Sequence, residues 1–412
     1  MKQNTTYKQT ELGLIPEDWE VKKFNKFSKF YSGGTPLTSK SEYYGGEIPF
    51  IKSGEIYYDR TEQFLTQEGL NNSSAKLVYR GDLLYALYGA NSGEVAISQL
   101  EGAINQAILC IQQNKDEAET IYLYNYLKLE KSNIINKFLQ GGQGNLSADI
   151  IKNLQIPLPP LPEQKKIADC LSTWDVAIEK QNALINALTD RKKALMQQLL
   201  TGKKRLPGFS EEWKEVKLGS LGKTYNGLTG KTKEDFGEGK PFITYMNIFS
   251  NPKINISNFE YVKMGVNENQ NKAIYGDIFF TVSSETPNEV GMASVLLDEI
   301  NDLYLNSFCF GFRLNDFKNL LPEFSSYLFR NDLFRKDVYK LAQGSTRFNL
   351  SKLELMKIKI KLPSLSEQTA IAEILATADR ELQLQKEKLV QLQQQKKGLM
   401  QVLLTGKKRL IN

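Results

Sequence analysis

Two stretches of the chain carry apolar residues at alternating spacings of four and three. The first runs Ile167, Leu171, Trp174, Ile178, Ile185, Leu188, Leu195, Leu199, and the second Ile371, Leu375, Ala378, Leu382, Leu389, Leu392, Leu399, Leu403. Such a stripe predicts a long amphipathic helix whose apolar seam packs against a second helix. Each stripe is broken twice by a polar residue, Gln181 and Lys192 in the first, Gln385 and Lys396 in the second. Polar residues at seam positions fix register at some cost in stability. Ile167, Leu171, Trp174, Ile178, Ile371, Leu375, Leu382 and Leu389 are the candidate helix-pairing residues.

The two stretches are copies. Residues 158–206 and 362–410 align without a gap at an offset of 204, with 25 of 49 positions identical. Both open on helix-start chemistry. Pro162-Glu163-Gln164 offers a proline suited to the first helical positions, and Ser366-Glu367-Gln368 a serine suited to an N-cap, each with an acid near the positive end. Both close on Leu-Leu-Thr-Gly-Lys-Lys-Arg, with Gly202 and Gly406 free to take the left-handed conformation and cations at the negative end. A helix of about 38 residues is about 57 Å long. With both copies in one chain, each is expected to pair with the other, antiparallel, about a pseudo-two-fold axis.

Outside these helices the texture changes to short apolar runs broken by Gly, Asn and Ser: Ile48-Pro49-Phe50-Ile51, Leu83 to Ala86, and Ala103 to Ile111. A helical pattern follows from Glu119 to Leu139. The order recurs as Phe242-Ile243-Thr244-Tyr245, Asp277 to Val282, Phe308 to Leu314, and a helical stretch from Leu321 to Leu341. These read as strands followed by a helix, so the fold class is mixed α/β domains joined by two long helices. The expected boundaries are 1–157 for a first domain, 158–206 for a first helix, 207–361 for a second domain and 362–412 for a second helix. Trp19 and Trp213 stand in matching phrases that open the two domains, where each can anchor a core. Gly81-Asp82-Leu83-Leu84 matches Gly276-Asp277-Ile278-Phe279, but most loops do not match, which suggests two related readers with different targets.

Composition narrows the chemistry. A hydrophobic content of 41% with 24% charged residues describes a folded chain and not a disordered one. The net charge of +6 favours a polyanionic partner only slightly. Zero histidines remove Ser-His-Asp and Cys-His catalysis and histidine metal ligands together. Cys110, Cys170 and Cys309 are odd in number and lack CxxC spacing, which suits a reducing cytoplasm. No apolar run is long enough for a membrane span.

Motifs that would carry catalysis fail on spacing. Gly219-Ser220-Leu221-Gly222-Lys223-Thr224 and Gly227-Leu228-Thr229-Gly230-Lys231-Thr232 each have two residues between glycines where a phosphate loop needs four. Gly141-Gly142-Gln143-Gly144 follows a helical pattern and is expected to be a flexible loop. Leu158-Pro159-Pro160-Leu161 lacks the polar and aromatic residues of an amino-methyltransferase loop. Glu238-Gly239-Lys240 with Asp235 resembles a nuclease fragment but reads as a turn. What remains is a set of polar, aromatic-studded loops suited to reading nucleic acid. In the first domain these are Lys40, Ser41, Tyr43, Tyr44, Lys52, Ser53, Asn91 and Ser92; in the second, Lys231, Thr232, Lys233, Tyr245, Asn247, Ser283, Ser284 and Arg347. Asn pairs with adenine, Arg and Lys with guanine, and Ser, Thr and Tyr with phosphates.

The doubled Leu-Pro-x-Leu-x-Glu-Gln entry and Leu-Leu-Thr-Gly-Lys exit of the helices resemble those of type I restriction–modification specificity subunits. So do Ser32-Gly33-Gly34-Thr35-Pro36 and Tyr44-Gly45-Gly46-Glu47-Ile48-Pro49-Phe50. The resemblance covers nearly the whole chain, although the second domain, with Tyr225-Asn226-Gly227-Leu228 in the corresponding place, departs from this wording. It implies a non-catalytic subunit whose two target-recognition domains each read half of a bipartite, asymmetric site in double-stranded DNA, with the paired helices setting the unread spacer. It further implies two methyltransferase subunits that bind S-adenosylmethionine and methylate adenine N6, and two motor–nuclease subunits that use ATP and Mg. No cofactor is then expected on this chain. The rival readings are a self-sufficient methyltransferase or nuclease, and a coiled-coil interaction protein without DNA specificity.

Overall fold

The computed structural model describes residues 6–138 and 145–410. The Gly141-Gly142-Gln143-Gly144 run lies outside the described residues. The chain forms two compact units, Met1–Asn182 with Glu387–Asn412, and Ala183–Lys386.

In the first unit, strands Ser28–Ser32, Ile108–Gln113, Leu83–Ala86 and Val95–Ile97 lie in that order as an antiparallel sheet. A period of two sends alternate residues to opposite faces, and here both faces are covered. Leu83, Tyr85, Leu109 and Ile111 join a core with Trp19, Phe24 and Tyr122, while Leu84, Ala86, Ile108 and Cys110 join a second core with Ile51 and Val78. A second sheet pairs Tyr44–Ile51 in parallel with Gly102–Ile104. The expected run from Ala103 to Ile111 is thus two strands. They are parted by a turn in which the Ala107 amide donates to Asn105 Oδ1 at 3.1 Å.

The second unit repeats this plan. Gly222–Asn226, Cys309–Leu314, Ile278–Thr281 and Ala293–Val295 have the same order and sense, and Phe236–Ile243 runs parallel to Tyr304–Leu305. Ile278 and Phe280 face one core and Phe279 the other. The sequence 219–224 forms a short helix, Leu218–Leu221, leading into a strand, the reverse of a phosphate loop's strand-to-helix order.

Local signals account for three departures from expectation. Thr244 does not continue the preceding strand; its hydroxyl accepts from the Asn247 amide at 3.1 Å and starts the helix Tyr245–Ser250. The stretch from Leu321 to Leu341 is two helices, Pro322–Leu328 and Asp332–Lys340, because the Asn331 side chain caps the second by accepting from the Phe334 amide at 2.9 Å. The second long helix begins at Leu365, so Ser366 sits in its first turn and is not the N-cap.

The long helices are Leu161–Leu199 and Leu365–Leu403, 39 residues each. They pack antiparallel. In the first unit Asp175 pairs with Lys396 and Glu163 with Arg409; in the second Lys192 pairs with Asp379 and Arg205 with Glu367. Adding the offset of 204 to Glu163, Asp175, Lys192 and Arg205 gives Glu367, Asp379, Lys396 and Arg409, so each pair has its counterpart in the other unit. Every candidate pairing residue lies on the covered stripe: Ile167, Leu171, Ile371 and Leu375 are buried, and Trp174, Ile178, Leu382 and Leu389 half-buried. The helix ends are also domain core. Ile167, Leu171, Met400 and Leu403 share a cluster with Trp19, and Leu199, Ile371 and Leu375 share one with Phe310 and Phe324. Each compact unit therefore takes in one α/β domain with the start of one long helix and the end of the other.

Candidate nucleic-acid interface

The second unit gathers four of the expected site residues around one cleft of about 400 Å³: Tyr245, Ser283, Ser284 and Arg347, joined by Met246, Phe249, Glu285, Glu289 and Phe308. Tyr245 stands in the first turn of the helix that Thr244 caps. Its ring stacks on Phe249 at 5.9 Å, and its hydroxyl donates to the Ser283 carbonyl at 2.8 Å. Burial raises the phenol above its ordinary range, which keeps it a neutral donor. Ser283 and Ser284 form a strand paired with Asn349 and Phe348, which brings exposed Arg347 to the same rim.

The charges suit base edges better than phosphates. Arg347 is accompanied by Glu285 and by Glu289, and Glu289 Oε2 accepts from the hydroxyls of Ser284 at 3.1 Å and Thr286 at 2.8 Å. Two carboxylates repel a phosphate, whereas a carboxylate accepts from the cytosine amine and a guanidinium donates twice to guanine. Phe308 is 66% and Met246 57% exposed, a disposition suited to contact with a thymine methyl.

In the first unit Lys52 and Ser53 follow the strand Tyr44–Ile51, and Asn91 closes in on the same loop: a Cβ on Gly54 would stand 3.4 Å from Asn91 Nδ2. Glu55 braces this loop by accepting from the Lys52 amide and from the Thr61 hydroxyl, both at 3.0 Å. Ser92 donates to the Leu87 carbonyl at 2.9 Å. Exposed Tyr57 and Tyr58 lie on this loop, and Tyr57 donates to Glu94, which also pairs with Lys131. Lys40 and Ser41, both exposed, precede the same strand, at the other end of it from Lys52. In the second unit Thr232 and Lys233 are likewise at the far end of Phe236–Ile243 from Tyr245.

Several expected contact residues serve the fold instead. Asn247 is fully buried, donating to the carbonyls of Asn255 and Asn258 at 2.9 Å and accepting from the Asn255 amide at 2.9 Å. Tyr43 is 4% exposed, its hydroxyl accepting from Lys40 Nζ at 3.0 Å. Tyr44 is half-buried and donates to the Pro36 carbonyl at 2.6 Å. Lys231 spends its ammonium on Glu268 and on the Lys263 carbonyl, at 2.5 and 2.6 Å. Thr232 and Asp235 cap each other's turn. Residues at these surfaces that the sequence does not single out are Met246, Phe249, Glu285, Glu289, Phe308, Tyr57 and Tyr58. The strand begins at Cys309 and leaves Phe308 in the turn before it. Among the described residues, no helix is long and apolar enough to cross a membrane.

The fold is that of solved type I specificity subunits. The S subunit of M. genitalium superposes with a TM-score of 0.57 at 17% identity, covering 98% of this chain and 97% of that one. A subunit from a structure describing complex assembly and conformational transition of the type I R-M system gives 0.63 at 17% identity, covering 96% and 99%. The chain belongs to the family described as Type I restriction modification DNA specificity domain, which matches residues 16–190 and again 210–394. It is thus a non-catalytic DNA-specificity subunit of a type I restriction–modification system. It is 27% identical over 421 residues to the type I restriction enzyme MjaVIII specificity subunit of Methanocaldococcus jannaschii, covering 97% of this chain and 95% of that protein.

Proposed function

We propose that each α/β unit reads one half of a bipartite, asymmetric site in double-stranded DNA, and that the paired helices set the length of the unread spacer. One observation carries this reading. The turn before the central strand is tied the same way in both units, the Ala107 amide donating to Asn105 Oδ1 at 3.1 Å and the Phe308 amide to Asn306 Oδ1 at 2.8 Å, yet it presents alanine in one and an exposed phenylalanine in the other. One scaffold thus offers two unlike surfaces, as two unlike half-sites require. In this reading two methyltransferase subunits carrying S-adenosylmethionine and two motor–nuclease subunits using ATP and Mg supply the chemistry, in the cytoplasm, while this chain supplies the address.

The test is a genome-wide map of N6-methyladenine in cells with and without the chain, with its methyltransferase subunit present. Loss of a split motif of fixed spacer on removing the chain supports the reading. An unchanged map overturns it and favours a coiled-coil interaction protein.

A further inference from the structure

Two arginines in the second unit make an unusual set of contacts. Arg330, in the turn between the helices Pro322–Leu328 and Asp332–Lys340, donates from Nε to the Ala293 carbonyl at 2.6 Å. Its Nη2 donates to the carbonyls of Ile248, Phe249 and Asn251 at 2.6, 3.0 and 2.8 Å. Arg335, on the second of those helices, donates to the carbonyls of Gly291, Asn288 and Val290 at 2.6, 2.7 and 2.7 Å. All seven acceptors are backbone carbonyls.

Arginine is suited to this task because its planar fork serves several acceptors at once, which the single ammonium of lysine cannot do. The carbonyls it serves are telling. Ile248 and Phe249 belong to the last turn of Tyr245–Ser250, where helical carbonyls lack partners of their own and a cation is favoured. That helix carries Tyr245 and Met246 into the cleft. Asn288 and Val290 flank Glu289, which lines the same cleft. Burial lowers both side chains, Arg330 to about 10, so each remains a cation at neutral pH and its partners stay engaged.

We propose that Arg330 and Arg335 are positioning residues for sequence reading by the second domain: they hold the helix bearing Tyr245 and Met246 and the loop bearing Glu289 at a fixed separation, so that the cleft between them accepts one set of base edges. The Glu119 amide donates to Gln164 Oε1 in the first unit as the Leu321 amide donates to Gln368 Oε1 in the second, both at 2.9 Å, and counting from these matched bonds Arg330 corresponds to Lys128, which donates to the Tyr124 hydroxyl at 3.1 Å and makes no such carbonyl clasp. The device therefore belongs to one half-site only. This inference rests on the proposed reading of a half-site by each unit.

The experiment is a methylation map made with the full chain and its methyltransferase partner, comparing the natural protein with Arg330→Lys, Arg330→Ala and Arg335→Lys. The natural protein must first direct a split motif; if it does not, the half-site reading fails and this proposal falls with it. Given that motif, discrimination against mismatched bases should fall by roughly tenfold in one half of the motif and stay unchanged in the other. A merely structural role would lower methylation at all sites with base preferences intact in both halves, and that result overturns the proposal. Equal relaxation of both halves overturns it too. If Arg330→Ala does not accumulate as folded protein, the two lysine variants, which keep the charge but cannot span the carbonyls, decide by the same criterion.

Discussion

The guanidinium of Arg205 forks onto the buried carboxylate of Glu367, with Nε–Oε1 at 2.7 Å and Nη2–Oε2 at 2.8 Å. Arg409 grips Glu163 in the same way at 2.7 and 2.6 Å, and the indoles of Trp213 and Trp19 donate to the same two carboxylates at 3.2 Å. Each acid sits in the first turn of one long helix, and each arginine lies just past the glycine that ends the other. The start of each helix is thereby latched to the exit of its partner, with a domain-opening tryptophan in the latch. The basic clusters at the helix ends, whose cations could equally have met phosphates, use these two arginines for structure.

Arg409 is the more enclosed of the pair, at 9% side-chain exposure against 26% for Arg205. Removing a cation from a buried pair strands its partner, so Arg409→Met should cost about 3 kcal/mol of stability and Arg205→Met clearly less. Urea unfolding midpoints of the two variants test the order. The double variant Glu163→Gln with Arg409→Met should regain part of the loss.

Gly202 and Gly406 end their helices at φ values of +68° and +72°. Alanine at either position takes on left-handed strain of roughly 1–2 kcal/mol. At Gly406 the new Cβ would also stand 2.3 Å from Pro16 Cδ, whereas at Gly202 the nearest atom is 3.4 Å away, on Trp213. Gly406→Ala should therefore lower the melting temperature more than Gly202→Ala; equal shifts would contradict the packing argument.

Lys396 is 6% exposed within the helix seam and pairs with Asp175 at 2.5 Å. Burial lowers its pKa despite that partner. The unfolded chain then holds this proton more tightly, so the group opposes folding at neutral pH, and stability should rise as pH climbs from its folded pKa towards 10.5. Lys396→Leu should remove this part of the alkaline rise, read from urea midpoints across pH, and because Asp175 is 45% exposed its carboxylate stays solvated when the ammonium is gone.

Glu268 is held at about 2 by the Lys231 ammonium, the Gly265 amide and the Gln270 side chain. Its folded pKa lies below the ordinary 4.5, so its contribution is present above 4.5 and is lost as pH falls from there towards 2. Glu268→Gln should flatten the acid limb of the stability–pH curve in that window and leave the alkaline side unchanged. A curve identical to that of the natural chain counts against the Lys231 assignment.

In the recognition surface, Phe308→Ala should relax base preference in the half-site read by the second domain, and Tyr58→Ala should act only on the other half. Methylation maps of the two variants separate these effects. Both changes are at exposed residues and should leave the melting temperature nearly unaltered.

The helices were legible because a single periodicity, written twice, fixes a covered stripe without reference to anything distant; the seam from Ile167 to Leu199 lies where the spacing put it. The alternation that sends Leu83 and Leu84 to opposite cores is equally local. The cleft was half legible. Tyr245, Ser283, Ser284 and Arg347 stood out as polar or aromatic residues at strand ends, where sheets expose their loops. Lys231 looked free because its partner Glu268 is 37 positions away. Asn247 looked like a base reader because nothing in the composition shows that Asn255 and Asn258 turn their carbonyls onto it. Arg330 and Arg335 were hidden within what reads as one helical stretch, since a helix places arginines on its surface by default and only tertiary contacts reveal what they hold.

The Asn105 and Asn306 turns bear on how such a protein changes over generations. Each asparagine ties down the amide two residues ahead, so the turn keeps its path whatever side chain follows. The turn therefore accepts residues as unlike as alanine and phenylalanine with its bond intact. A change of side chain there alters the surface offered to a partner and leaves the buried strands beneath it as they are.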